Sequence, residues 1–126
     1  MKRKILYISS EAYPLIKTGG LADVAGSLPT ALHNNDQDVC LLLPAYQTIL
    51  DKLSEKKVVA ETSHYGQEIR ILETTLPGSS IKTWLVDCTQ MFDRPGNPYL
   101  ADDGISWPDN AERFALFAQT AVDIAL

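Results

Sequence analysis

Two apolar runs dominate the first forty residues: Lys-Ile-Leu-Tyr-Ile-Ser from Lys4 to Ser9, and Val-Cys-Leu-Leu-Leu from Val39 to Leu43. Runs this short, unbroken rather than alternating, suit central strands covered on both faces. Between them Leu21, Val24, Ala25, Leu28 and Leu32 recur at three- and four-residue spacing, which puts them on one face of a helix. Pro29 lies inside that pattern and is expected to kink the helix or weaken its middle. His33-Asn34-Asn35-Asp36 ends it with turn-forming residues. Strand, loop, helix and strand in this order make a βαβ unit, for which a right-handed crossover and parallel strands are expected.

The pattern then changes. Lys57 to Ser63, Gln67 to Leu76 and Ile81 to Val86 are rich in Val, Ile and Thr, with turn signals at Tyr65-Gly66 and Pro77-Gly78. Three short strands joined by tight turns predict an antiparallel hairpin or meander, whose last strand is placed to rejoin the main sheet. Met91 to Pro108 reads as one long loop, of a length that is usually functional or mobile. Asp109 is expected to cap a final helix with an apolar face of Phe114, Phe117, Ala118, Ala121, Val122 and Ala125. That helix reaches Leu126 with no cover for its apolar face in the sequence pattern, so self-association through it is expected.

Composition narrows the function classes. The 126 residues are 45% hydrophobic and carry a net charge of −5, which fits one globular domain and disfavours nucleic acid and anionic membranes as partners. No apolar stretch has the length of a secretion signal or a membrane span, and a cytoplasmic location is expected. Cys40 and Cys88 each sit in an apolar run and read as buried reduced thiols. No Cys/His cluster suggests a metal, and no cofactor is expected. His33 and His64 belong to no motif and read as surface histidines.

The chemistry concentrates in the first loop. Gly19-Gly20 sits between a strand and a helix, where the absence of Cβ atoms lets a ligand approach the backbone. Unpaired N–H groups and the positive end of the helix dipole would favour a phosphate there, with Lys17 adding a mobile charge. The same residues also fit a plain tight turn beside a solvated lysine. Asp23, in the first helical turn, fits either dipole compensation or a contact to sugar hydroxyls. Neither a dinucleotide fingerprint nor a P-loop is present.

Four segments in order carry a family resemblance. Ser10-Glu11-Ala12-Tyr13-Pro14 with Lys17-Thr18-Gly19-Gly20-Leu21-Ala22-Asp23-Val24, then Leu42-Leu43-Pro44-Ala45-Tyr46, Asp93-Arg94-Pro95-Gly96-Asn97-Pro98-Tyr99, and Asp109-Asn110 with Arg113-Phe114, resemble the N-terminal part of bacterial glycogen synthases and plant starch synthases. The resemblance implies an α/β fold: an incomplete, Rossmann-like N-terminal GT-B domain over residues 1–126, its sheet mostly parallel with the antiparallel addition. It implies a retaining transferase that moves glucose from ADP-glucose to the non-reducing end of an α-1,4-glucan. Lys17, Gly19, Gly20 and Asp23 become donor-binding positions, Tyr99 an acceptor-binding position, and Glu11 a supporting residue that orients Lys17. Without the family, Tyr99 reads equally as an aromatic that anchors its own loop.

The family's catalytic residues and nucleotide-binding domain would lie beyond Leu126, so no catalytic residue is expected within this chain and the chain alone is expected to be inactive. The alternative is a stand-alone module that binds a sugar phosphate or glucan, or another protein, without catalysis.

Overall fold

The computed structural model describes residues 1–126. Five strands form one mixed sheet: β1 (Lys4–Ile8), β2 (Asp38–Pro44), β3 (Lys57–His64), β4 (Gln67–Thr75) and β5 (Lys82–Asp87), in spatial order β1-β2-β5-β4-β3. β1, β2 and β5 run parallel; β4 extends the sheet antiparallel to β5, and β3 pairs antiparallel with β4 at the far edge. The expected parallel core with an antiparallel addition is therefore present, and β5 does rejoin the main sheet. Tyr65 and Gly66 both adopt left-handed backbone angles in the two-residue turn between β3 and β4, the conformation a tight hairpin requires.

The centre of the sheet is displaced from where the pattern put it. β2 is buried from Val39 through Pro44, whereas β1 forms the edge and leaves Ile8 half exposed. Continuous apolar character reports contact on both faces of a strand and carries no information about whether its second edge is paired.

Helix α1 (Gly20–Asn34) keeps Ala25 of the expected packing face buried and Leu32 half-buried, but turns the rest of that face outward. Its buried residues are Ala22, Ala25 and Pro29, while Leu21, Val24 and Leu28 are exposed. Both sets share the helical spacing, and close approach decides between them. The backbone N–H of Tyr13 donates to Ala22 O at 2.9 Å, and a Cβ at Gly26 would lie 2.4 Å from Tyr13 O. Only a small-residue face fits so near the preceding loop, and the bulky face turns outward. α1 continues through Pro29 to Asn34.

Short helices α2 (Gln47–Lys52) and α3 (Thr89–Phe92), neither of them apparent in the periodicity, lead away from β2 and β5. The final helix α4 (Asn110–Ala125) buries Arg113, Leu116, Phe117, Thr120 and Ala121, and leaves Ala118, Val122 and Ala125 exposed. The core thus covers the centre of the face expected to drive self-association. Asp109 does stand at the start of α4, but its carboxylate makes no cap hydrogen bond. His64 is half-buried and meets Asp123, joining the β3–β4 hairpin to α4. Cys40 and Cys88 are buried and unpaired with each other.

Gly26→Ala is expected to destabilise the fold by about 1–3 kcal/mol, because the added methyl overlaps a backbone carbonyl. Gly20→Ala, with open space at its Cβ position, should shift stability by no more than about 0.5–1 kcal/mol, in the stabilising direction. Urea unfolding of both variants checks the contrast.

Candidate functional site

The loop from Ser9 to Gly19 leaves the carboxyl end of β1, beside the exits of β2 and β5, the edge at which open α/β sheets bind ligands. Its organising residue is Glu11, which is 2% exposed. Oε1 accepts from the backbone N–H groups of Thr18 at 2.9 Å and Gly19 at 3.3 Å. Oε2 accepts from the Thr18 hydroxyl and the Tyr99 hydroxyl, both at 2.6 Å. Four donors thus fill the four lone-pair sites of one carboxylate. Burial alone would raise the Glu11 pKa, but the hydrogen bonds from Thr18, Tyr99 and Gly19 outweigh it and hold the carboxyl below its ordinary value.

The network extends in both directions. Tyr99 has a single hydroxyl proton, given to Glu11, so the 2.6 Å contact with Ser10 Oγ is donated by the serine. Tyr46, just past β2, donates to Ser10 O at 2.8 Å. Burial, followed by the bond to Glu11, pushes the Tyr99 phenol up to about 12, so it stays protonated and remains a donor at neutral pH.

At the surface of this frame, Lys17 Nζ contacts both oxygens of Asp23 at 2.8 Å, with both side chains about half exposed. Gly19 is the N-cap of α1, and the N–H groups of Gly20 and Leu21 meet no acceptor within the protein. A Cβ on Gly19 or Gly20 would meet nothing within 4 Å. Packing therefore does not require either glycine, and the space above them is open to a ligand. The structure brings Lys17, Gly19, Gly20 and Asp23 together on one surface. Glu11 lies behind that surface and is bonded to Thr18 and Gly19 rather than to the Lys17 ammonium.

Tyr99 reaches this frame from the far end of the chain because its own loop is firmly built. Arg94 forms a bidentate pair with Asp109, at 2.7 and 2.6 Å, over the ring of Trp107. This pairing accounts for the missing cap at α4, and its strong hydrogen bond lowers the Asp109 pKa. Arg113, 1% exposed, donates to Met91 O, Pro98 O and Asn110 Oδ1. Asn110 donates to Tyr99 O, and Leu100 pairs with Ser106 in an isolated bridge. The segment expected to be one long loop is thus a turn of α3 followed by a braced Ω-like excursion. Sequence reasoning overlooked Arg113 as its anchor; the available signal was an arginine placed among the apolar positions of the final helix.

The family model described as starch synthase catalytic domain matches residues 4–126. The chain belongs to the starch synthase catalytic domain family. Among the curated members, glycogen synthase 1 of Methylococcus capsulatus (strain Bath) is 50% identical over 121 residues, covering 96% of this chain and 24% of that protein. Glycogen synthase of Hydrogenovibrio crunogenus is 50% identical over 127 residues, covering 98% of this chain and 26% of the relative. The catalytic domain of starch synthase IV from Arabidopsis thaliana, solved bound to ADP and acarbose, superposes with a TM-score of 0.74 at 24% identity, covering 94% of this chain and 24% of the other. That likeness supports the GT-B type of α/β fold. The starch synthase family member described here spans about a quarter of the length of these relatives. No helix in it is long and apolar enough to cross a membrane.

Glu11→Gln should cost about 2 kcal/mol or more at neutral pH, since one amide oxygen cannot accept from four donors. The folded pKa of Glu11 is depressed, so its contribution is complete above the unfolded value of about 4.3 and is lost as pH falls through the lower folded value. Unfolding curves of the two proteins should therefore differ at pH 7 and converge as acidification carries the pH through that lowered value.

Proposed function

We propose that this chain is the N-terminal, donor-loop part of a cytoplasmic glycogen synthase that transfers glucose from ADP-glucose to the non-reducing end of an α-1,4-glucan with retention. The observation that carries this reading is the open surface above Gly19 and Gly20. There, two unpartnered N–H groups, the start of a fifteen-residue helix and the Lys17–Asp23 pair face the same space. A diphosphate bound there would accept from the Gly20 and Leu21 N–H groups and meet the positive end of α1. The Lys17–Asp23 pair is solvent-exposed and worth at most about 1 kcal/mol, so Lys17 can turn to phosphate oxygens at little cost.

In this mechanism the donor's glycosidic bond breaks and negative charge grows on the departing ADP. Lys17 and the two N–H groups stabilise that charge more strongly in the transition state than in the ground state. Asp23 then directs its carboxylate to sugar hydroxyls as the lysine leaves it. Glu11 is a positioning residue, holding Thr18 and Gly19 so that the N–H groups point outward before the ligand arrives. Tyr99 borders the acceptor side, with its hydroxyl fixed by Glu11 and its ring tilted against Phe114 at 5.9 Å.

The relatives are about four times as long as this chain, and the reaction in a GT-B enzyme needs two walls that close on the donor. Residues 1–126 alone should accordingly show no glucose transfer. In the intact enzyme Lys17→Ala should lower kcat with ADP-glucose by about 10²-fold or more while the unfolding midpoint is unchanged. Steady-state kinetics with ADP-glucose and UDP-glucose on a glucan primer checks this. A folded Lys17→Ala enzyme with unaltered kinetics would remove the loop from the donor site. An intact protein that transfers glucose from neither nucleotide sugar would overturn the reading as a whole and favour a non-catalytic binding module.

A further inference from the structure

The amino ends of the parallel strands, opposite the Glu11 frame, carry a second concavity. A cleft of about 870 Å³ opens between the segment after α2, the start of β3 and the β4–β5 turn. Four lysines line it, Lys52, Lys56, Lys57 and Lys82, against two carboxylates, Glu55 and Glu73. The chain has 11 Lys and Arg in all and a net charge of −5, so more than a third of its basic residues converge on a single cleft of an acidic protein.

The carboxylates do not neutralise this cluster evenly. Glu73 accepts from Trp84 Nε1 at 3.1 Å and meets Lys57 at 3.5 Å, so it is held against the sheet. Its pKa is lowered first by the Trp84 bond and also by the charges of Lys57 and Lys82, a sign of the positive potential it sits in. Lys52 is partly committed, donating to Leu15 O at 2.7 Å. Lys56 and Lys82 have no carboxylate partner; Lys82 instead lies over the Trp84 ring, 5.0 Å from its centroid, which fixes its ammonium at the cleft wall. Thr75 and Ser80 add exposed hydroxyls to the rim.

We propose that this lysine-lined cleft is a binding site for small phosphorylated anions, separate from the donor loop. Lys56 and Lys82 supply the charge, Lys57 is shared with Glu73, and the hydroxyls of Thr75 and Ser80 take further oxygens. The volume admits a sugar phosphate as well as a free phosphate. Attraction is local: at physiological ionic strength, charges more than about 8 Å apart are screened, so the net negative charge of the chain does not cancel the field in the cleft.

The test is isothermal titration of the 126-residue chain with inorganic phosphate, inorganic pyrophosphate and glucose 1-phosphate, with NMR shifts of backbone amides to locate each anion. The expected result is saturable binding that shifts amides of residues 54–57 and 80–82, weakened about tenfold or more by Lys56→Ala/Lys82→Ala. Lys17→Ala should leave the shifts at these cleft amides unaltered, whatever it does to anions bound at the donor loop. Glucose 1-phosphate binding more tightly than inorganic phosphate assigns the site to sugar phosphates; equal affinity assigns it to the phosphate group alone. Shifts of the cleft amides 54–57 and 80–82 that survive the double substitution, that disappear with Lys17→Ala, or that are absent for all three anions would overturn the proposal. Far-UV circular dichroism of the double variant separates loss of binding from loss of fold.

Discussion

One buried carboxylate holds the candidate site together. Glu11 is removed from water and has no cation beside it, so its charge is balanced only by the four hydrogen bonds it accepts. An ionised group in that position is tolerable only while every donor stays in place, since each bond to a charged acceptor is worth about 1.5–3 kcal/mol and its loss leaves the charge uncompensated. The constraint acts on two distant segments at once. Thr18 and Gly19 belong to the turn into α1, whereas Tyr99 comes from an excursion braced by Arg94, Asp109 and Arg113. Satisfying Glu11 therefore fixes the donor loop and the Tyr99 loop relative to each other.

This arrangement separates the residues that build the site from those that would touch a ligand. Glu11, Tyr46, Ser10 and Tyr99 form an internal chain of donors and acceptors, with the tyrosine hydroxyls kept protonated by burial. Lys17, Asp23 and the N–H groups of Gly20 and Leu21 lie in front of it, exposed and lightly held. Order behind and freedom in front is what an anion site requires, because the ligand then meets oriented dipoles without reorganising the backbone.

The sequence made the strands and the site loop legible, for identifiable reasons. Strand runs such as Val39 to Leu43 announce themselves because burial demands continuous apolar residues, and Tyr65-Gly66 marks a hairpin because its backbone angles suit few residues. What periodicity could not decide was which of two apolar faces of α1 packs inward, since Ala22, Ala25 and Pro29 share the spacing of Leu21, Val24 and Leu28. The deciding quantity is the distance to Tyr13, set by tertiary contact and flagged only by Gly26. The edge position of β1 was hidden for a related reason, as side-chain patterns record covered faces and not paired edges. Glu11 was singled out, but its partners were not: Thr18 is seven residues away and Tyr99 is eighty-eight. The family resemblance supplied the ligand chemistry, and the geometry supplied the reason these loops meet.

The coupling of the two loops through one carboxylate can be tested by amide hydrogen exchange in Tyr99→Phe, which deletes a single oxygen atom on one of them. If Glu11 unites them, the amides of Thr18 and Gly19 should exchange several-fold faster in the variant, together with those of Ala101 and Trp107 in the Tyr99 loop. Exchange that accelerates only around Tyr99, with Thr18 and Gly19 as protected as before, would contradict the account and make the donor loop a self-sufficient turn.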